Sequence, residues 1–134
     1  DVDPNRIGII GYCFGGRVSY LAAARMDDFA AASIYYGSGI VGGEINERTP
    51  VEPVTLASQV KCPVQGVWGA EDHAIPVEDV HQLEEALKAA SVEVDFRIYD
   101  GAGHAFFCDA RPSYHAEASA DVWPRTLAFF GKHL

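Results

Sequence analysis

The sequence is poor in the residues that announce several common protein classes. Basic residues are scarce: ten Lys and Arg stand against nineteen Asp and Glu in 134 residues, a formal charge of −9. No basic patch is left to neutralise phosphates, which argues against a nucleic-acid partner and against adsorption to an anionic membrane. Cysteine is limited to three, widely spaced and never as CxxC, so neither a disulfide framework nor a metal site is suggested. No apolar run approaches the ~18 residues of a membrane span, and no basic segment followed by an apolar one opens the chain as a secretory signal does. A cytoplasmic location is the expectation. No internal repeat is found and the length suits one core, so residues 1–134 are read as a single domain. The one methionine is internal, and the first apolar run starts a few residues into the chain, as expected of a fragment.

What is present centres on Arg6-Ile7-Gly8-Ile9-Ile10-Gly11-Tyr12-Cys13-Phe14-Gly15-Gly16-Arg17, which reads as strand, tight turn and helix. Ile7 to Ile10 is apolar without alternation, the pattern of a strand buried on both faces of a parallel sheet. Val18, Leu21, Ala22 and Arg25 follow helical spacing, so a helix is predicted from about Phe14 to Met26. In Gly11-x-Cys13-x-Gly15 the glycines let the chain reverse sharply, leaving Cys13 exposed at a helix N-terminus. Unpaired N–H groups and the positive end of the helix favour negative charge there, and the Phe14 backbone N–H is placed to serve an oxyanion hole. A plainer reading is a glycine-rich turn holding a small buried cysteine.

Further along, Phe29 to Tyr36 and Pro63 to Trp68 read as buried strands, and Val92 to Tyr99 alternates as a fourth. Residues 38–60 have no sustained period, and a connection of that length is usually functional or mobile. Pro76 opens a helix with Val80, Leu83, Leu87 and Ala90 on one face. A last helix is predicted from about Tyr114 to Lys132, with Pro124 as a kink. The order implies a parallel sheet with helices on its faces, and ligands of such sheets sit at the carboxyl ends of the strands. Cys13, Asp72 and His104 each fall just past a strand end, so all three belong on one edge.

A thiol needs a base near neutral pH, and an imidazole needs a carboxylate to hold its tautomer. Cys13, His104 and Asp72 supply that set, in the chain order nucleophile, acid, histidine. Each has a simpler alternative: Asp72 as a turn residue, His104 as a loop histidine. Arg17 and Arg111 are candidates for a substrate carboxylate. Tyr12, Tyr35, Tyr36 and Trp68 are placed to wall a pocket, and Cys108 to line it. Cys62, at the far end of its strand, reads as structural, and His73, His81, His115 and His133 as solvated or structural.

Gly-Tyr-Cys-Phe-Gly-Gly around Cys13, Gly-Ala-Glu-Asp-His-Ala-Ile-Pro around Asp72 and Gly-Ala-Gly-His-Ala-Phe around His104 together resemble the dienelactone hydrolase (carboxymethylenebutenolidase) family, over its C-terminal half. The resemblance implies a truncated, minimal α/β-hydrolase of about four parallel strands with helices on both faces. It implies hydrolysis of a small ester or lactone through a thioester on Cys13, with His104 relaying the proton, Asp72 orienting it and no cofactor. A second oxyanion donor, a glutamate and an arginine belong to the family's other half. With no strand outside it, the first strand becomes a bare edge, and a homo-oligomer that buries this edge is expected. Two other functions remain open: an inactive binding or assembly module, and a redox-sensing thiol in which Cys13 is oxidised and Cys108 resolves it.

Overall fold

A computed structural model of the protein describes residues 2–134. Four strands, β1 (Gly8–Tyr12), β2 (Ala31–Tyr35), β3 (Val64–Gly69) and β4 (Val94–Tyr99), form one sheet in the order β1-β2-β3-β4. Every neighbouring pair is parallel, with Ile10 opposite Ser33, Ile34 opposite Gly66 and Val67 opposite Arg97. Three helices, α1 (Phe14–Arg25), α2 (Val77–Ala89) and α3 (Ala116–His133), connect or follow the strands. This is an α/β-hydrolase-like arrangement of four parallel strands with helices.

The period-two alternation of the strands sorts their side chains between two layers. On one face Trp68 meets Phe96 and borders Val80 and Leu83 of α2. On the other, Tyr35 and Gln65 reach Thr126 of α3, and Tyr99 reaches Asp121 of α3. The largest fully buried side chains, Trp68, Tyr20, Tyr35, Phe106 and Ile34, come from the sheet, α1 and the segment before α3. Each buried large side chain contributes roughly 1.5–3 kcal/mol of apolar burial.

Several sequence expectations change. β1 is not buried on both faces: Gly8 and Tyr12 are exposed and the isoleucines half-buried, because among the described residues no strand lies outside it. β2 stops at Tyr35 because Tyr36 turns to a φ of 39°. The final helix begins at Ala116 rather than Tyr114, because His115 caps it, its Nδ1 accepting from the Ala118 N–H at 3.2 Å. Pro124 lies inside that helix without ending it. The segment 38–60 contains a 3-10 helix at Pro53–Gln59, whose Val54, Leu56 and Ala57 are buried.

Candidate active site

The site begins with strain in the backbone. Cys13 joins β1 directly to α1 with φ 55° and ψ −121°, a conformation L-residues rarely hold and one that costs about 1–3 kcal/mol. Two backbone hydrogen bonds hold it there, from the Cys13 N–H to the Tyr35 carbonyl and from the Gly16 N–H to the Cys13 carbonyl, both 2.9 Å. The turn admits no side chain at Gly11, where an added Cβ would lie 1.9 Å from the Gly15 carbonyl oxygen. Gly16 is similarly tight against Tyr35, whereas Gly15 has open space around it. The glycines the turn requires are thus Gly11 and Gly16, not Gly11 and Gly15. Phe14 is the first helical residue, so its N–H has no partner within the helix.

The other two residues come from the turns after β3 and β4, which touch backbone to backbone. Gly69 permits this: a Cβ there would meet the Ala102 carbonyl oxygen at 2.1 Å, and the Glu71 N–H donates to that same carbonyl at 2.9 Å. Asp72 and His104 are thereby brought side by side. The Asp72 carboxylate is fully buried; Oδ1 accepts from the Ala74 N–H at 2.9 Å, and Oδ2 lies 2.6 Å from His104 Nδ1. Since the carboxylate accepts, Nδ1 carries the hydrogen and the Nε2 lone pair is left for another donor. Nε2 lies 3.1 Å from Cys13 Sγ, and Cys13 is exposed to solvent. An exposed thiol, a half-open imidazole and a buried carboxylate therefore stand in line at the carboxyl edge of the sheet, an arrangement suited to taking a proton from sulfur.

The supporting residues divide. Tyr36 does not face the open side: it is 2% exposed, its ring is edge-on to His104 with centroids 5.4 Å apart, and burial pushes its phenol up. Tyr12 packs against Tyr35 and lies parallel to Phe107, with part of its ring exposed. Arg17 is committed elsewhere, donating to Thr49 Oγ1 at 2.9 Å and so fastening the 38–60 segment to α1. Arg111 is exposed, and among the described residues no carboxylate pairs with it. Cys108 is half-buried, and Cys62 lies in the core, where burial pushes its thiol up. His73 is exposed, His81 pairs with Glu84, and His133 stands near Glu93.

Three features escaped the sequence reading. Gly69 looks like any strand-end glycine until its neighbour across the sheet is known. Phe107, three residues after His104, joins the aromatic group of Tyr12, Tyr35 and Trp123. Ala105 holds φ 60°, so Cys13, Tyr36 and Ala105 concentrate left-handed backbone around the site. Among the described residues no group of three His, Cys, Asp or Glu side chains is placed to hold a metal ion, and no helix is long and apolar enough to cross a membrane.

The parallel sheet, the strained strand-to-helix turn and the residues gathered above it define the α/β-hydrolase class of fold. Within that class the whole chain, residues 1–134, matches the family model described as "Dienelactone hydrolase family", and the chain belongs to that family. An Escherichia coli protein named "Putative carboxymethylenebutenolidase" is 38% identical over 131 residues, covering 98% of this chain and 48% of that protein. The carboxymethylenebutenolidase of Rhodococcus opacus is 33% identical over 135 residues, covering 98% of this chain and 52% of its own length. The crystal structure of a "Putative Dienelactone Hydrolase" from Klebsiella pneumoniae superposes with a TM-score of 0.90 at 40% identity, covering 96% of this chain and 53% of that one. The chain spans about half the length of the relatives it matches.

Proposed function

We propose that this chain carries the hydrolytic residues of a small-ester or lactone hydrolase, with Cys13 as nucleophile, His104 as base and then acid, and Asp72 as the group that orients His104. The observation that carries the reading is the continuous line from Asp72 through His104 to the Cys13 thiol, at 2.6 and 3.1 Å. Family membership supports the reaction class.

In the first half-reaction the Cys13 thiol gives its proton to His104 Nε2 and the sulfur attacks the substrate carbonyl carbon. The carbonyl π pair moves onto oxygen, and the Phe14 N–H at the helix start donates to the resulting oxyanion. Asp72 offsets the charge on the imidazolium. As the intermediate collapses, the carbon–oxygen bond to the leaving group breaks and the imidazolium returns a proton to that oxygen. A thioester remains on Cys13. An ester releases its alcohol, whereas a lactone keeps it tethered to the acyl chain. His104 then takes a proton from water, hydroxide adds to the thioester, and collapse expels the sulfur. The carboxylic acid leaves and the thiol regains its proton.

This reading assigns one oxyanion donor, the Phe14 N–H. Removing one donor from a protease site costs about 10²–10³ in rate, so turnover by this chain is expected to be slow unless another group supplies the second N–H. Arg111, which is exposed, is the candidate kept for a substrate carboxylate, whereas Arg17 donates to Thr49. The test is hydrolysis of a short activated ester by the purified chain beside Cys13→Ala. A measurable rate lost in the variant supports the proposal; equal rates reject it and leave a binding role as the better account.

A further inference from the structure

The residues that line up at the site stand above a chain of polar side chains buried in the sheet–α3 interface. Tyr35 and Thr126 are 0% exposed, Ser33 0% and Gln65 1%. Gln65 Oε1 accepts from Thr126 Oγ1 at 2.7 Å and from Ser33 Oγ at 2.9 Å. Thr126 has one hydroxyl hydrogen and gives it to Gln65, so in the 2.7 Å contact between Tyr35 and Thr126 the tyrosine is the donor. Gln65 Nε2 donates onward to Asp95 Oδ2 at 3.3 Å, and Arg125 closes the line on Asp95 Oδ1. The bonds from Tyr35 through Thr126 and Gln65 to Asp95 therefore run one way, with Ser33 and Arg125 donating into that line.

An apolar replacement of the same shape at both partners of such a bond is often neutral for stability. What the directional chain adds is a fixed place for the Tyr35 ring, and that ring touches both halves of the site. It meets Tyr12, the residue before Cys13, at 4.8 Å between centroids, and Phe107, which follows His104, at 5.3 Å. The Tyr35 carbonyl accepts the Cys13 N–H as well. Burial pushes the Tyr35 phenol up to about 12, so it remains a donor across the working range.

We infer that Tyr35, held by Thr126 and Gln65, is a positioning residue that sets the separation between the Cys13 turn and the His104 segment. The inference rests on the Cys13–His104 pairing proposed above. Without the Tyr35 hydroxyl the ring is free to shift in its slot, the two segments move independently, and the Nε2–Sγ contact lengthens.

The test is alkylation of Cys13 by iodoacetamide in the full chain, followed by peptide mass, and needs no substrate. The readout is the ratio of the rate near pH 7, where an unassisted thiol is mostly protonated, to the rate near pH 10, where thiols are ionised. A change in access alone alters both rates together and leaves the ratio unmoved. The titratable groups beside the thiol, His104 with Asp72 behind it and Tyr36, stay the same in the Tyr35 and Thr126 variants. Tyr35→Phe and Thr126→Val are each expected to lower the ratio about fivefold, the effect of losing the Tyr35–Thr126 bond that both remove, Thr126→Val losing the bond to Gln65 as well. The double variant is expected to fall no further than Thr126→Val, which already removes the bond that Tyr35→Phe breaks. Thr126→Ser, which keeps the hydroxyl, is expected to restore it, and decides the matter if Tyr35→Phe does not fold. If His104→Ala lowers the ratio but the Tyr35 and Thr126 variants do not, the inference is wrong. A ratio as low in Thr126→Ser as in Thr126→Val overturns it too. If His104→Ala leaves the ratio unchanged, the pairing itself fails and the inference with it.

Discussion

Cys13 occupies backbone space that glycine enters freely and cysteine does not, and two backbone hydrogen bonds hold it there. The residues around it are constrained unequally. Gly11→Ala drives a Cβ against the Gly15 carbonyl, and a clash of that kind costs about 1–3 kcal/mol or more. Gly15→Ala meets nothing and exchanges a poor helix former for a good one, for a gain of up to about 1 kcal/mol. Urea unfolding of the two variants is expected to move in opposite directions; equal losses would contradict this account of the turn. At this scale the sequence was informative about which residues the fold brings together, because Cys13, Asp72 and His104 each follow an apolar run. It put Tyr36 on the wall of an open pocket, whereas Tyr36 is buried against His104 by a left-handed φ that no local pattern announces.

The site is built where elements end, and the turns after β3 and β4 are its tightest junction. Gly69→Ala would place a methyl group 2.1 Å from the Ala102 carbonyl oxygen, separating the turn that carries Asp72 from the one that carries His104. The expected outcome is a loss of ester hydrolysis of at least about tenfold, the equivalent of 1.4 kcal/mol, together with a lower unfolding midpoint. Full activity in this variant contradicts the geometry. Apolar runs were enough to predict all four strands and three helices, since each run is long and bounded by turn residues. Their ends were not legible: Tyr36 stops β2 by its φ, and His115 starts α3 by capping it. The 3-10 helix at Pro53–Gln59 is too short to show a period, and it orders only because Val54 and Leu56 find the core. The buried line from Tyr35 to Asp95 joins residues far apart in the chain, a relation that spacing cannot reveal.

Burial is a property of the whole molecule, and β1 illustrates it. Its residues have the composition of an interior strand, yet in this chain they form an edge without proline or charge, beside exposed Phe14 and Val18. Such an edge invites pairing with another chain. The expectation is self-association of the purified chain, and a monodisperse monomer by light scattering would contradict it. The interior also sets a pH limit. Burial raises the phenols of Tyr20, Tyr35, Tyr36 and Tyr99 above their ordinary value of 10.0. Above that value the unfolded chain loses these protons while the folded one keeps them, so the folded state binds more protons and stability falls as pH rises. The part of the urea midpoint owed to these phenols is therefore expected to be constant below about pH 9 and to fall between about 10 and 12. A midpoint unchanged across that interval would contradict the burial of these hydroxyls. The central claim, that Cys13 forms a thioester on the way to hydrolysis, is tested most directly by intact-mass measurement during turnover of a short activated ester. The account predicts a transient gain of one acyl group, located on Cys13 by peptide mapping and missing in Cys13→Ala. Turnover with no adduct on Cys13, or an adduct that Cys13→Ala retains, would contradict it.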